Sequence, residues 1–64
     1  MAVTEEKVLH VLNMEGSEFE EGVVELQIET AEAIVDAKNT NGAAASIVEV
    51  AKLRLAAYLS YLAY

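Results

Sequence analysis

AAASIVEVAKLRLAAYLSYLAY, residues 43–64, is the stretch of sequence that decides the fold. Its charged side chains are Glu49, Lys52 and Arg54, and its apolar side chains spread around most of a helix, leaving a narrow polar strip of Ser46, Glu49, Lys52 and Ser60. A helix that is apolar nearly all round is buried nearly all round. Because a chain of 64 residues has little other surface to cover it, we expect this helix to pack against copies of the chain.

Composition supports a small helical domain that needs external stabilisation. The chain is 55% hydrophobic and contains three glycines and no proline, which excludes an intrinsically disordered tail. It has no cysteine, so neither disulfides nor a thiolate metal site can stabilise it. Oligomerisation is the remaining way to stabilise a domain of this size.

Two turn-forming segments, Glu15-Gly16-Ser17 and Asn39-Thr40-Asn41-Gly42, divide the chain into three predicted helices. We predict an all-α, three-helix subunit with helices at about 4–14, 17–38 and 42–63, in one domain spanning 1–64. The long second and third helices should pack antiparallel, and the subunits should assemble as a ring.

The helix ends carry recognisable signals. Thr4 is a candidate N-cap for the first helix, and Gly16 is its candidate stop. Ser17 and Glu20 have the spacing of a capping box for the second helix. Thr40 or Asn41 could cap the third helix.

Acidic side chains recur every three or four residues along the predicted second helix, which places them on one side of it. We call this set the acidic ridge: Glu18, Glu21, Glu25, Glu29, Glu32 and Asp36. Like charges at this spacing repel, so the ridge must be solvated or must face cations. A solvated face is the plainer interpretation.

The second helix also has two separate apolar sectors. One consists of Phe19, Val23, Leu26, Ile34 and Ala37, and the other of Val24, Ile28, Ala31 and Val35. One sector can pack inside the subunit, and a domain this small has few surfaces left to cover the second. We assign the second sector, Val24 to Val35, to an interface between copies.

Three residues of the third helix join this predicted interface. Arg54 lies on the apolar side of that helix, at the same rotational setting as Tyr58 and Tyr61. Its guanidinium must either extend to solvent or meet a carboxylate, and we expect it to pair with Glu25, Glu29 or Glu32 of an adjacent copy. The tyrosines are either interface anchors or amphipathic residues at a helix end.

The sequence gives no sign of catalysis or of a cofactor. His10 is the single histidine, and no HExxH, phosphate loop, nucleophile elbow or EF-hand loop is present. We therefore predict no enzyme activity, no catalytic residue, no cofactor and no metal site. Four basic residues against eleven acidic ones also predict no tight binding to DNA.

Membrane insertion and secretion are not expected. The longest charge-free run at the end of the chain is Leu55–Tyr64, which is shorter than a spanning helix. The acids that follow Val3 do not fit a signal peptide, so we expect a soluble, cytoplasmic protein that is made and used without secretion.

The order of helical segments resembles the small head-tail connector, or adaptor, proteins of long-tailed phages. The similar segments are VTEEKVL (3–9), VELQIETAEAIV (24–35) and IVEVAKLRLAAYL (47–59). The resemblance covers most of the chain and rests on helical patterns. Proteins of that family usually continue beyond the last helix with a segment that contacts the next ring, and this sequence ends at Tyr64.

The resemblance implies a virion structural protein that forms a ring, commonly of twelve copies, below the portal in the neck between head and tail. Its partners would be the portal and other tail or neck proteins, and the genome would pass through the hole. Two alternatives stay open from the residues themselves: a homo-oligomeric helical bundle without a defined ring, and a module that binds a basic partner through its acidic ridge.

Overall fold

The computed structural model describes residues 3–39 and 41–64. In these ranges the chain forms three helices, α1 (Glu5–Leu12), α2 (Val23–Lys38) and α3 (Ala45–Ala63), with a short 3-10 turn at Gly16–Glu18. The molecule measures 37 × 17 × 15 Å. The prediction of an all-α, three-helix subunit is confirmed.

Helix α1 begins as the sequence predicts and ends by another residue. The backbone N–H of Lys7 donates to Oγ1 of Thr4 at 3.3 Å, so Thr4 is the N-cap. Asn13 adopts a left-handed conformation with φ of 56°, and the N–H of Met14 donates to the carbonyl of Leu9 at 3.0 Å. Asn13 rather than Gly16 therefore ends the helix, because asparagine tolerates this conformation.

Helix α2 starts later than the sequence predicts. The predicted capping box of Ser17 and Glu20 is wrong: the cap belongs to the 3-10 turn, where the N–H of Glu15 donates to Oε2 of Glu18 at 2.8 Å. The chain is then extended at Phe19 and left-handed at Gly22, where φ is 83°. Because a right-handed helix cannot pass through that glycine, α2 begins at Val23.

Helices α2 and α3 pack antiparallel and make the most extensive contact in the subunit. The Nζ atom of Lys52 lies 3.1 Å from Oδ1 of Asp36 near the turn between the helices. At the other end, the rings of Phe19 and Tyr64 meet edge to face with centroids 5.6 Å apart. These two contacts set the register of the pair.

Helix α3 begins without a side-chain cap. The N–H of Ala43 donates to Oδ1 of Asn39 at 3.1 Å, and Gly42 is left-handed. Ala44 precedes the first helical residue, and no side chain caps it. Asn41, a predicted cap, is therefore not the N-cap, and Thr40, the alternative, lies outside the described residues.

The core lies where α1 covers the α2–α3 pair, with α1 contacting α3 more than α2. We call the buried residues the inner surface: Val8, Val24, Ile28, Ala31, Ala56, Ala57 and Ser60. Four of these seven side chains are alanine or serine. Such small side chains let the helix axes approach closely, but they bury little apolar area per residue.

Candidate interaction surface

The predicted interface sector of α2 is in fact part of the subunit core. Val24, Ile28 and Ala31 are buried on the inner surface, and Val35 is half-buried beside the contact with α3. The assignment of Val24, Ile28 and Ala31 to an interface between copies is therefore wrong, because the core of the subunit already covers them, and the assignment of Val35 stays a prediction. The other apolar sector of α2 is uncovered from Leu26 onward, whereas its first two residues, Phe19 and Val23, are half-buried.

That uncovered sector runs along the side of α2 opposite the inner surface. We call it the α2 stripe: Leu26, Thr30, Ala33, Ile34 and Ala37, all exposed. Leu26 keeps 57% of its surface exposed and Ile34 keeps 42%. Thr30 fits an apolar stripe, since its hydroxyl donates to the carbonyl of Leu26 at 3.0 Å and is thereby already satisfied.

Helix α3 likewise turns an apolar side away from the core. We call this the α3 face: Ile47, Val50, Ala51, Arg54, Tyr58, Tyr61 and Leu62, all exposed. Its large side chains are more than half exposed, with Ile47 at 63% and Tyr58 at 59%. Contiguous apolar surface of this kind marks an interaction site in soluble proteins.

A shallow groove connects the two uncovered surfaces at the end of the molecule near the turn. It is lined mostly by apolar side chains from both helices: Ile34, Val35, Lys38, Asn39, Ala43, Ile47, Val48 and Ala51. Ile34 belongs to the α2 stripe, and Ile47 and Ala51 belong to the α3 face. The groove therefore joins the stripe and the face into one partly concave apolar surface.

The three predicted interface residues of α3 all lie on the α3 face. Arg54, Tyr58 and Tyr61 are exposed, and Arg54 forms no ion pair with any residue that the structure describes. Arg54 is also the only charged residue among the seven of the face. Their pairing with another copy stays a prediction.

The polar strip of α3 lies on the opposite side of the helix, toward the other helices. Lys52 and Glu49 are half-buried, and Ser60 is fully buried. The Lys52 ammonium is satisfied there, since its side chain keeps only 14% exposure while it pairs with Asp36. A hydrogen bond to the Asp36 carboxylate raises the pKa of Lys52 above its usual 10.5, assisted by the charges of Glu49 and Glu32.

Ser60 is the exception to this pattern of satisfied polar groups. Its side chain is completely buried on the inner surface, and its hydroxyl finds no hydrogen-bond partner among the described residues. A buried hydroxyl without a partner costs stability. The small size of serine, rather than its polarity, suits this position at the helix contact.

The acidic ridge is shorter than the sequence predicts. Glu18 belongs to the 3-10 turn and Glu21 precedes α2, so neither continues the helical row. Glu25, Glu29, Glu32 and Asp36 do lie along one side of α2, between the α2 stripe and the start of α1. Three of them line a shallow groove against the start of α1, whose lining residues are Val3, Thr4, Glu5, Glu25, Ile28, Glu29 and Glu32.

Residues 3–39 and 41–64 contain no group of three or more His, Cys, Asp or Glu side chains placed to hold a metal ion. His10, the single histidine, is exposed on α1. Within the same ranges, the helices are too short or too polar to cross a membrane.

No protein-family model matches the chain, and no curated protein and no solved structure matches it either. The function must therefore be inferred from the fold and from its uncovered surfaces.

Proposed function

We propose that this chain is a structural subunit that assembles with copies of itself through the α2 stripe and the α3 face. One observation carries the proposal: many large apolar side chains of the long helices are exposed, while alanines and a serine take four of the seven buried positions. A 64-residue domain is marginal when it buries its best apolar residues, and this one exposes Leu26, Ile47 and Tyr58. Association between copies would bury these side chains.

The specific form that we propose is the ring of a head-tail connector in a tailed virus. The resemblance of the helical segments to that family supports it, as does a three-helix subunit with apolar surface on both long helices. In such a ring the net charge of −7 would keep the protein from holding the genome that passes through. The portal and the neighbouring neck proteins would be its partners.

Native mass spectrometry tests assembly, and negative-stain electron microscopy tests the ring. We expect one dominant multiple of the 6.9 kDa subunit, seen as closed rings with an axial hole. Compact clusters without a hole would support the helical-bundle alternative instead. A folded monomer at micromolar concentration would contradict self-assembly in any form.

Binding to duplex DNA gives a second check on the ring. Four basic residues cannot release enough counterions to overcome the repulsion of eleven acids. We expect a gel shift to give no dissociation constant tighter than about one micromolar at physiological salt, the strong end of non-specific binding. Tighter binding would mean that the chain holds DNA rather than surrounding it.

A second candidate function rests on the groove between α2 and the start of α1. Glu5, Glu25, Glu29 and Glu32 all line it, so it could hold a lysine-rich or arginine-rich segment of another protein. A soluble oligolysine peptide distinguishes the two functions. The acidic module predicts salt-sensitive binding of the peptide to a monomer, whereas the structural subunit predicts assembly without any peptide.

A further inference from the structure

The placement of charge on the two uncovered surfaces indicates how copies meet. Arg54 lies near the middle of the α3 face, between Ile47 at one end and Tyr61 at the other. The face contains no carboxylate. If two α3 faces paired with each other in full overlap, the two Arg54 side chains would meet at the symmetry axis. Two like charges on a desolvated surface without a counterion are strongly unfavourable.

The α2 stripe offers what the α3 face lacks. Glu29 is three residues after Leu26 and four before Ala33, so it lies next to both on the helix surface. It is exposed, and it forms no ion pair with any part of the chain that the structure describes. A carboxylate therefore borders the apolar stripe at its middle, where a guanidinium seated on Leu26 and Ala33 could reach it.

We propose that the contact between copies is heterologous: the α3 face of one copy packs on the α2 stripe of the next, with Arg54 reaching the carboxylate of Glu29. This inference rests on the proposed self-assembly and names the two surfaces that meet in it. This contact matches a surface with one cation to a surface with an acidic border. It also covers Tyr58 of one copy and Leu26 of the next.

The two surfaces lie on different helices, so each copy offers both sides of the proposed contact. The α2 stripe lies on the side of α2 opposite Ile28, and the α3 face lies on the side of α3 opposite Ser60. The stripe and the face meet at the groove near the turn, where Ile34 of the stripe and Ile47 of the face both line it, and from there they follow different helices. A heterologous contact of this kind does not stop at two copies but continues into a ring or a filament.

Two variants that each block one surface test the proposal. Leu26→Asp blocks the α2 stripe, and Tyr58→Asp blocks the α3 face. Both positions are exposed, so circular dichroism should show the helix content of the parent for each variant. If either variant loses helix content, Leu26→Gln or Tyr58→Gln replaces it.

Native mass spectrometry of each variant alone, and of an equimolar mixture, distinguishes a heterologous contact from self-pairing surfaces. We expect the parent to be larger than a dimer, each variant alone to be monomeric, and the mixture to form a dimer with one copy of each. That dimer arises because the mixture contains one intact α3 face and one intact α2 stripe that can meet.

Self-pairing surfaces would give a different pattern. If Leu26→Asp alone still dimerises, the α3 face pairs with itself, and if Tyr58→Asp alone still dimerises, the α2 stripe does; either result overturns the heterologous contact while leaving self-assembly intact. Two variants that assemble like the parent would also overturn it, since neither surface would then matter. A monomeric parent would instead refute the proposed function itself.

Discussion

The buried residues of α3 and the residues of the α3 face lie on opposite sides of one helix. The two sets differ in the size rather than in the polarity of their side chains. Toward the core, α3 buries Ala56, Ala57 and Ser60, while toward solvent it presents Ile47, Tyr58 and Leu62. The half-buried Leu53, Leu55 and Leu59 pack beside the buried residues. A free-standing domain would be expected to place its larger apolar residues inside. The difference means that small buried side chains let the helices approach closely, while large apolar side chains stay uncovered on the outside.

The same comparison within α2 gives the largest expected effect. Ile28 is buried on the inner surface and Ile34 is 42% exposed on the α2 stripe, so the two isoleucines form a matched pair. We expect Ile28→Ala to lower the free energy of unfolding by about 2 to 5 kcal/mol, because it leaves a cavity. Ile34→Ala should cost less than about 1 kcal/mol in the dissociated subunit.

Urea unfolding followed by circular dichroism at several protein concentrations measures both changes. For Ile34→Ala we expect the loss of unfolding free energy relative to the parent to grow with protein concentration, since the side chain is covered only on assembly. The loss from Ile28→Ala should hardly depend on concentration. Equal losses for the two variants would remove the distinction between inner and outer surfaces.

The next effect concerns the charge on the α3 face. If Arg54 pairs with a desolvated carboxylate of the next copy, Arg54→Ala should weaken assembly by on the order of 3 kcal/mol, because Glu29 is left without a partner. Lys38→Ala is the control for the lost charge, since Lys38 is also exposed and lies outside the α2 stripe and the α3 face, at the groove where they meet. Dissociation constants from sedimentation at two salt concentrations provide the measurement.

Salt dependence separates an ion pair from an arginine that only extends into solvent. We expect added salt to weaken assembly of the parent more than that of Arg54→Ala, because screening acts on the pair that the variant lacks. A variant that assembles as well as the parent, with the same response to salt, would show that Arg54 makes no contact with another copy.

Ser60 gives a smaller effect of opposite sign. Its hydroxyl is buried without a hydrogen-bond partner among the described residues, so Ser60→Ala should raise the free energy of unfolding by about 1 kcal/mol. Ser46→Ala, on the exposed start of the same helix, should change it by no more than about 0.5 kcal/mol. Thermal unfolding of both variants checks this, and a destabilised Ser60→Ala would mean that the hydroxyl has a partner.

The smallest effect is expected from the ion pair of Lys52 and Asp36. The hydrogen bond to Asp36 raises the pKa of Lys52, so its stabilisation is fully present below pH 10.5 and is lost as the pH rises through the higher folded value. We expect Asp36→Asn to have a lower melting temperature than the parent at neutral pH. The difference in melting temperature between the parent and Asp36→Asn should narrow above pH 10.5.

Glu29→Gln removes a carboxylate from the same helix that has no ion-pair partner in the described part of the subunit. This variant is the control for Asp36→Asn and is measured at a concentration where the subunit is dissociated. It should not show the pH-dependent drop in melting temperature that we expect for Asp36→Asn. A gap between the parent and Asp36→Asn that is constant with pH would contradict the assigned cause.

Much of the fold was accessible from the sequence because its signals are local. Turn-forming residues separate the helices, and Thr4 caps α1 as its position before two acids predicts. The start of α2 was predicted wrongly because two capping patterns overlap, one at Ser17 and Glu20 and one at Glu15 and Glu18. The left-handed Gly22 makes only the second compatible with the chain that follows.

The surfaces of the long helices were harder to predict, because rotation along a helix does not say which apolar side faces inward. Both sectors of α2 are equally suitable by pattern, and the choice of Val24, Ile28 and Ala31 for the interface was wrong. The charges of α3 are no better guide, since Arg54 is exposed whereas Lys52 and Glu49 are half-buried toward the other helices. Which surface another copy covers cannot be read from one chain.

Sedimentation equilibrium of the unmodified chain over a range of micromolar concentrations tests the central claim most directly, namely that other copies cover the outer apolar surfaces. We predict a mass that is a multiple of 6.9 kDa at the higher concentrations and that falls on dilution. A folded protein with the mass of one subunit at every concentration would contradict the claim.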